Sequence, residues 1–248
     1  MAQAHIGLSG YSYKPWQGPG RFYPPELKPV GFLGYYATRY DTVELDGLWY
    51  RLPSEKAVAD WLASTPPHFL FTPKVHRQIT HRLRLKPECY DFIRVMLDRL
   101  KPLAASNRLG PLLLQLPPNL KRDDDRLTAF LDQLPTSQRW AIEFRHESWH
   151  DPAIETLLQR FNVSWVAADT DERPADWRDT ADFSYVRLRR SVYDERNLEE
   201  WAGRFRKRVG LGKSCYVYCK HEDEGSPWIW ADRLQELCRI PAAEERVA

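Results

Sequence analysis

Short apolar runs alternate along the chain with longer amphipathic segments, a pattern that predicts strands followed by helices. Some runs, such as Leu112–Leu116, are continuously apolar, which is typical of a parallel strand covered on both faces. We predict eight strands: His5–Ser9, Thr42–Leu45, Phe69–Thr72, Leu112–Leu116, Trp140–Arg145, Ser164–Ala168, Phe183–Leu188 and Ser214–Cys219. This alternation favours an α/β fold built on a parallel sheet.

The segments between the strands carry helix signals. Ser54 precedes an amphipathic segment, and Asp151-Pro152 supplies an N-cap and a first helical residue. The predicted helices span residues 30–40, 54–64, 87–110, 123–134, 151–161, 197–209 and 228–237. The connection over 170–182 is polar and has room for one helical turn at most, so we expect the sixth helix to be short or missing.

The length of 248 residues agrees with the size of about 250 that is typical of an α/β barrel. Hydrophobic residues make up 43% of the chain and charged residues 28%, as in an ordinary globular protein. Because no composition break marks a linker, we predict a single (β/α)8 TIM-barrel domain over residues 1–240 and a poorly ordered tail over 241–248.

Charge and cysteine content narrow the class of function. The net charge of +2, with acids and bases interspersed, indicates neither a nucleic acid nor a membrane surface as partner. The chain has no apolar run near the roughly 20 residues of a membrane span, and its four cysteines lack disulfide-framework spacing, so we expect a cytoplasmic protein. On a strand, Cys215 and Cys219 would lie roughly 13 Å apart, too far to share one metal ion.

One long loop, Tyr11–Pro25, is rich in aromatic residues, glycine and proline. A loop of this length after a first strand is either a lid over a site or a plug that fills the barrel mouth. The sequence leaves both interpretations open.

Titratable side chains collect where the predicted strands end, most densely at Glu143, Arg145 and His146. Because the C-terminal ends of TIM-barrel strands converge on one mouth, we expect these side chains to meet there. The expected site residues are Glu44, Lys74, Gln115, Glu143, Arg145, His146, Asp169, Arg187 and Tyr218, ringed by Trp16, Trp49 and Trp149. The same charges could instead cancel in a closed salt-bridge network that fills the barrel.

Several short sequence fragments, taken together in their order and spacing, resemble those of a known protein family. The fragments are Gly7–Tyr11 with Tyr13 and Trp16, Phe22–Pro24, Val43-Glu44 with Trp49-Tyr50 and Pro53, Trp61 with Thr65-Pro66, Phe69–Phe71 with Lys74, Ile79–His81, Leu116–Pro118, Glu143–His146 with Ser148-Trp149, and Tyr185–Leu188. With these, the chain resembles the YecE-like family (domain of unknown function 72), uncharacterised TIM-barrel proteins. The resemblance implies the fold and no particular reaction.

The chain departs from that family in two places. Arg189-Arg190 stands where the family usually has His-Gly after the seventh strand. Lys220-His221 and Trp230 stand where it usually has an Asn-rich turn and a further Asn. Both departures make this rim more basic, so the ligand of this member can differ from that of its relatives.

The first functional hypothesis is an enzyme that performs acid/base chemistry on a small anionic metabolite bearing a phosphate or carboxylate. Lys74 and Arg187 would anchor the anion, since Lys and Arg pair with such groups. Glu143 would act as general acid or base and His146 would shuttle a proton, with Glu44 as a further catalytic carboxylate. We expect neither a metal nor a cofactor.

Two alternatives remain. A divalent-metal-dependent hydrolase would use Glu44, Glu143, Asp169 and His146 as ligands, although the nearby Lys74 and arginines disfavour an added cation. A non-enzymatic nucleic-acid or protein binder would use Arg187, Arg189, Arg190 and Lys220 with the aromatic rim. Acidic residues near that rim would repel phosphates: Asp194, Glu195, Glu222, Asp223 and Glu224. The sequence predicts no oligomeric state.

Overall fold

The computed structural model describes residues 2–220 and 226–239, and the predicted alternation of strands and helices is present there. The strands are β1 (Ala4–Ser9), β2 (Thr42–Leu45), β3 (Leu70–Pro73), β4 (Leu112–Gln115), β5 (Trp140–Glu143), β6 (Ser164–Asp169), β7 (Phe183–Leu188) and β8 (Ser214–Cys219). The α-helices of this part of the chain are α1 (Phe32–Tyr36), α2 (Glu55–Ala63), α3 (Tyr90–Ala105), α4 (Asp124–Asp132), α5 (Pro152–Arg160), α6 (Glu195–Gly210) and α7 (Pro227–Arg239). Short 3-10 helices cover Lys14–Trp16, Pro29–Gly31, Asp46–Trp49, Pro87–Cys89 and Glu147–Trp149, and a π-helix covers Gln78–Arg82.

The eight strands form one sheet in the order β3-β2-β1-β8-β7-β6-β5-β4. The two ends of this order, β3 and β4, are joined by parallel bridges between Phe71 and Leu109 and between Lys74 and Leu113. The fold is therefore a (β/α)8 TIM barrel, as the sequence predicted. Between β6 and β7 the structure has no helix over residues 170–182, which confirms that the sixth helix is missing.

Side chains cap the helices at the positions that the sequence indicates. Ser54 accepts a hydrogen bond from the backbone of Ala57, and Asp151 accepts one from Ala153. At α6, Asp194 and Asn197 form a reciprocal capping box. None of the helices in residues 2–220 and 226–239 combines the length and apolar content needed to cross a bilayer.

The first predicted helix, over 30–40, was too long, because α1 spans only Phe32–Tyr36. The hydroxyl of Thr38 donates to the carbonyl oxygen of Tyr35 at 2.7 Å, and such local bonds compete with helix continuation. Strand five, predicted to reach Arg145, likewise ends earlier, at Glu143.

The third helix, predicted to run to Gly110, ends at Ala105. The hydroxyl of Ser106 donates to the carbonyl oxygen of Pro102, and Asn107 adopts a left-handed conformation with φ 55°. The amide of Arg108 then donates to the carbonyl oxygen of Leu103, which completes a Schellman-type helix end. Asn is one of the few residues that tolerate this position, so the stop signal was present in the sequence.

The chain divides into two compact units. Among the described residues, the first unit holds 2–43, 167–176, 182–220 and 226–239, and the second holds 44–166 and 177–181. The predicted single domain over 1–240 stays a prediction. The predicted tail over 241–248 and His221 lie outside the described residues.

In the first unit, the aromatic loop Tyr11–Pro25 is anchored by its rings. Phe22 stacks on Tyr40 with the two ring planes 11° apart, and Trp16 meets Trp228 edge-on at 5.7 Å. Both loop residues are buried, so these side chains pack against α1 and α7 neighbours in the core. The lid interpretation of the loop stays a prediction.

In the second unit, the buried Arg108 fastens the start of β3 to the end of α2. Its Nε donates to the carbonyl oxygen of Phe69 at 3.1 Å and its Nη1 to that of Leu62 at 3.0 Å. Its Nη2 donates to the hydroxyl of Thr65, and the guanidinium lies over the Phe71 ring. These neutral acceptors replace the water that the guanidinium loses on burial.

We predict that Arg108→Met lowers the free energy of unfolding by about 2 kcal/mol, because it leaves buried acceptors without donors. Urea denaturation measures the loss. The control Arg99→Met removes an exposed arginine paired with Glu55, and its effect should stay within about 0.5 kcal/mol. Equal stabilities of the Arg108→Met and Arg99→Met proteins would show that the buried network is not stabilising.

Candidate functional site

The C-terminal edge of β4 and β5 in the second unit carries a polar pair. Gln115 and Glu143 are register partners, and Gln115 Nε2 donates to Glu143 Oε1 at 2.9 Å. Both side chains are buried, and Glu143 is only 3% exposed. Because side chains alternate along a strand, Leu112, Leu114 and Ile142 occupy the opposite, wholly apolar face. The polar pair therefore lies on the face of the sheet opposite to these apolar side chains.

Lys74, the residue after β3, joins the same face. It bridges to Leu113, and Leu113 shares its face of β4 with Gln115 two residues further on. Lys74 Nζ lies 2.9 Å from Asp46 Oδ1 and 5.3 Å from the centre of the Trp49 ring. The ammonium is thus positioned by a carboxylate and an aromatic ring.

The π-helix after β3 brings His81 to this cluster. His81 Nδ1 lies 2.9 Å from the hydroxyl oxygen of Thr80, and its ring meets the Trp49 ring edge-on at 5.0 Å. Burial lowers the pKa of His81 below its ordinary value of 6.5, and the positive charges of Lys74 and Arg145 lower it further. His81 is therefore neutral near neutral pH.

We group the charged and polar side chains near these strand ends of the second unit under one name, the strand-end cluster. It consists of Glu44, Asp46, Trp49, Lys74, Arg77, His81, Gln115, Glu143 and Arg145. Glu44 lies within β2 with no exposed surface, and the Arg77 guanidinium lies 5.7 Å from the Trp49 ring. The indole N–H of Trp49 is buried and has no acceptor within the described residues. The cluster thus holds three carboxylates, three permanent cations and one histidine.

Two other predicted site residues of the second unit organise the turn after β5. His146 Nδ1 accepts the backbone N–H of Ser148 at 3.1 Å and lies 2.9 Å from its hydroxyl oxygen. Trp149 is buried, stacks on Phe144 and donates its indole N–H to the carbonyl oxygen of Leu120 at 2.7 Å. Only Nε2 of His146 is left for proton exchange, and the Trp149 ring takes part in core packing.

The first unit holds the remaining predicted residues, Trp16, Asp169, Arg187 and Tyr218. Arg187 is 1% exposed, and Tyr218 is fully buried with its hydroxyl 2.8 Å from that of Thr42. Trp16 belongs to the aromatic packing described above. Arg187, Tyr218 and Trp16 are therefore buried side chains of the described chain.

Asp169, the last residue of β6, is buried and accepts three hydrogen bonds from the protein. Its Oδ1 accepts from the Ala175 amide at 3.0 Å and from Arg190 Nη2 at 2.9 Å. Its Oδ2 accepts from the Tyr193 hydroxyl at 3.0 Å and lies 2.8 Å from Arg190 Nε in an ion pair. Burial and the Asp169 charge raise the pKa of Tyr193, which stays protonated as a donor.

These contacts bear on the two alternative hypotheses. Of the four basic residues proposed for nucleic-acid binding, Arg187 is buried and Arg190 is paired with Asp169, and that hypothesis stays a prediction. In residues 2–220 and 226–239, no three His, Cys, Asp or Glu side chains are grouped as a metal ion would require.

Sequence reasoning did not select Asp46, Arg77 and His81 as site residues. Asp46 follows β2 directly, and that strand-end position was a usable signal. Arg77 and His81 belong to or adjoin a π-helix, a rare element that no hydrophobic pattern predicts and that often occurs at functional sites.

The fold and the strand-end cluster define a TIM-barrel protein with polar residues at the C-terminal ends of its strands. The chain belongs to the DUF72 family: the model described as "Protein of unknown function DUF72" matches residues 5–247, which confirms the resemblance seen in the sequence.

Individual relatives agree with this membership. The chain is 25% identical to UPF0759 protein YunF of Bacillus subtilis (strain 168), over 95% of this chain and 85% of that protein. A DUF72 family protein from Thermotoga maritima MSB8 is 26% identical with a TM-score of 0.77, covering 96% of this chain and 100% of that one. One from Enterococcus faecalis V583 shares the fold, with 19% identity, a TM-score of 0.77 and 96% of both chains covered.

We predict that His81 titrates below pH 6.5 and that Arg145→Gln raises its midpoint, because the substitution removes a nearby positive charge. Imidazole NMR, assigned with His81→Asn, measures the midpoint. The control Arg99→Gln removes a distant exposed charge and should leave it unchanged.

The lowered pKa of His81 also predicts how the free energy of unfolding changes with pH. Because His81 binds its proton less readily in the folded protein, its contribution to the free energy of unfolding is complete above pH 6.5. That contribution declines as the pH falls toward the lowered pKa. A His81 midpoint at or above 6.5 would contradict this environment.

Proposed function

We propose that the strand-end cluster is the active site of an enzyme that performs acid/base chemistry on a small anionic metabolite. The observation that carries the proposal is the buried indole N–H of Trp49, which has no acceptor in the described chain and belongs to a ring whose centre lies 5.3 Å from Lys74 Nζ. A buried donor without a partner is costly, and an anionic oxygen would satisfy it. The DUF72 description itself names no activity.

Lys74 is suited to hold the anion. Its Nζ forms an ion pair with Asp46 Oδ1 at 2.9 Å, and the three N–H donors of an ammonium can bind a phosphate or carboxylate. Arg77 and Arg145 add positive charge to the cluster and balance its carboxylates. The anion would therefore bind between Lys74 and the Trp49 indole.

Glu143 is the proposed general acid or base. Lys74 and Glu143 share a face two strands and two residues apart, a separation of about 12 Å between Cα atoms at the usual strand spacing and rise. A small metabolite bound by its anionic end at Lys74 would span this gap and present its other end to the carboxylate. The Gln115 amide holds Glu143 Oε1 at 2.9 Å and so fixes the orientation of the carboxylate.

A neutral histidine completes the proposed chemistry. Burial and neighbouring cations keep the pKa of His81 low, so its imidazole is unprotonated near neutral pH and available as a general base. His146 remains a candidate proton shuttle through Nε2, since its Nδ1 accepts the Ser148 amide. Arg187 and Asp169 belong to the first unit. Their predicted role in substrate binding stays a prediction.

We predict saturable binding of inorganic phosphate, the simplest probe, by isothermal titration calorimetry. Lys74→Met should weaken binding by about tenfold or more, because it removes a charged donor. Trp49→Phe, which keeps an aromatic ring but removes the N–H, should weaken it several-fold. Lys101→Met, an equal loss of charge at an exposed position of α3, is the matched control.

Glu143→Gln should retain phosphate binding and lose turnover. With any phosphorylated or carboxylated metabolite that the wild-type protein converts, we expect a loss of at least about 100-fold in kcat, the usual contribution of a general acid or base. Retained turnover in this variant would remove Glu143 from the chemistry. Phosphate binding that Lys74→Met and Lys101→Met reduce equally would remove the anion site.

A further inference from the structure

A second polar site lies in the first unit, in a cleft beside Asp169 with a volume of about 120 Å³. This exceeds the roughly 10–15 Å³ that a single water needs, so the cleft has room for a small organic molecule. Its walls come from the segment after β6, from Arg190 after β7 and from one side of α6. The lining residues are Asp169, Pro174, Ala175, Arg190, Asn197, Glu200, Trp201 and Arg204.

Most of the hydrogen-bonding groups that the protein leaves unused in this cleft are donors. Both oxygens of Asp169 accept hydrogen bonds from the protein, the three described above. Arg190 donates to Asp169 through Nη2, and its Nε lies 2.8 Å from Oδ2 in an ion pair, which leaves Nη1. Asn197 accepts the Asp194 amide with Oδ1, so its NH₂ group points away from that bond. A ligand that meets these groups must supply acceptors.

The charged side chains of the cleft also favour a ligand that supplies acceptors. Arg190 and Asp169 cancel each other, and Glu200 accepts from Arg196 Nε at 3.1 Å. The charged lining residues are two acids and two arginines, and Arg204 is the one without an oppositely charged partner in the described part of the chain. A singly charged anion would pair with it.

Trp201 holds the Arg204 guanidinium in place. The two groups lie 5.0 Å apart, with the guanidinium over the ring. Stacking leaves the edge of a guanidinium, with its paired N–H donors, open to a planar acceptor such as a carboxylate. Pro174, Ala175 and Trp201 add apolar surface for a short carbon chain.

From these observations we infer that the cleft is a binding site for a small monocarboxylate, held by Arg204 with the Arg190 Nη1 and the Asn197 amide. This site uses residues of the first unit alone. It is therefore independent of the function proposed for the strand-end cluster.

The test is an NMR titration of ¹⁵N-labelled full-length protein with sodium propionate. It is performed in the Lys74→Met background, so that the strand-end cluster does not contribute. We expect saturable shifts of arginine Nε–Hε signals below about 50 mM, a weak affinity ordinary for so small a ligand. Sodium chloride at equal ionic strength and the neutral isostere propionamide should give none.

Three substitutions on α6 locate the site. Arg204→Gln should weaken propionate binding by about tenfold or more, because it removes the charged fork. Glu200→Gln should strengthen binding about two- to threefold by removing a neighbouring negative charge. Lys207→Gln, an exposed residue of the same helix outside the cleft, should leave the affinity unchanged. Circular dichroism confirms that each variant is folded.

Several results would overturn the inference. They are an absence of saturable binding, equal binding of propionamide, or an affinity that Arg204→Gln and Lys207→Gln change alike. Binding of inorganic phosphate in place of propionate would overturn the assignment to a carboxylate. Failure of phosphate to bind the wild-type strand-end cluster would instead contradict only the proposed function.

Discussion

A carboxylate that leaves water must receive hydrogen bonds from the protein, and this requirement organises the polar parts of the structure. Asp169 meets it with an arginine, a tyrosine and a backbone amide. Glu143 receives the neutral amide of Gln115 from the neighbouring strand. The first carboxylate is thus paired with a cation, whereas the second accepts from an uncharged amide. A buried carboxylate thus supports the structure of one unit and, we propose, the chemistry of the other.

Strand prediction succeeded because burial on both faces leaves a strong apolar signal. The ranges predicted for β2, β7 and β8 agree with the structure residue by residue. Helix ends were less predictable, since they depend on local bonds such as that of the Thr38 hydroxyl to Tyr35. The stop at Asn107 was available in the sequence, but a polar pair such as Ser106-Asn107 also occurs on exposed helix faces.

The candidate site was predictable where it lies on strands and not where it lies on the turns after them. Glu44, Gln115 and Glu143 follow from the position of a polar residue at the end of an apolar strand. The partners that define the environment of Lys74, Asp46 and His81, come from a 3-10 helix and a π-helix. Such short helices bury little apolar surface and therefore leave no periodic pattern to detect.

Arg190 limits how the first unit can use Asp169. The Asp169 carboxylate accepts three hydrogen bonds from the protein, one of them from Arg190, whose Nε also lies 2.8 Å from Oδ2. A ligand that used Asp169 would have to displace this ion pair and leave the buried carboxylate without its partner. Binding through donors that the fold leaves unused requires no such displacement. This is why we infer recognition by the donors beside Asp169, with Arg204 as the charged lining residue that has no oppositely charged partner in the described chain.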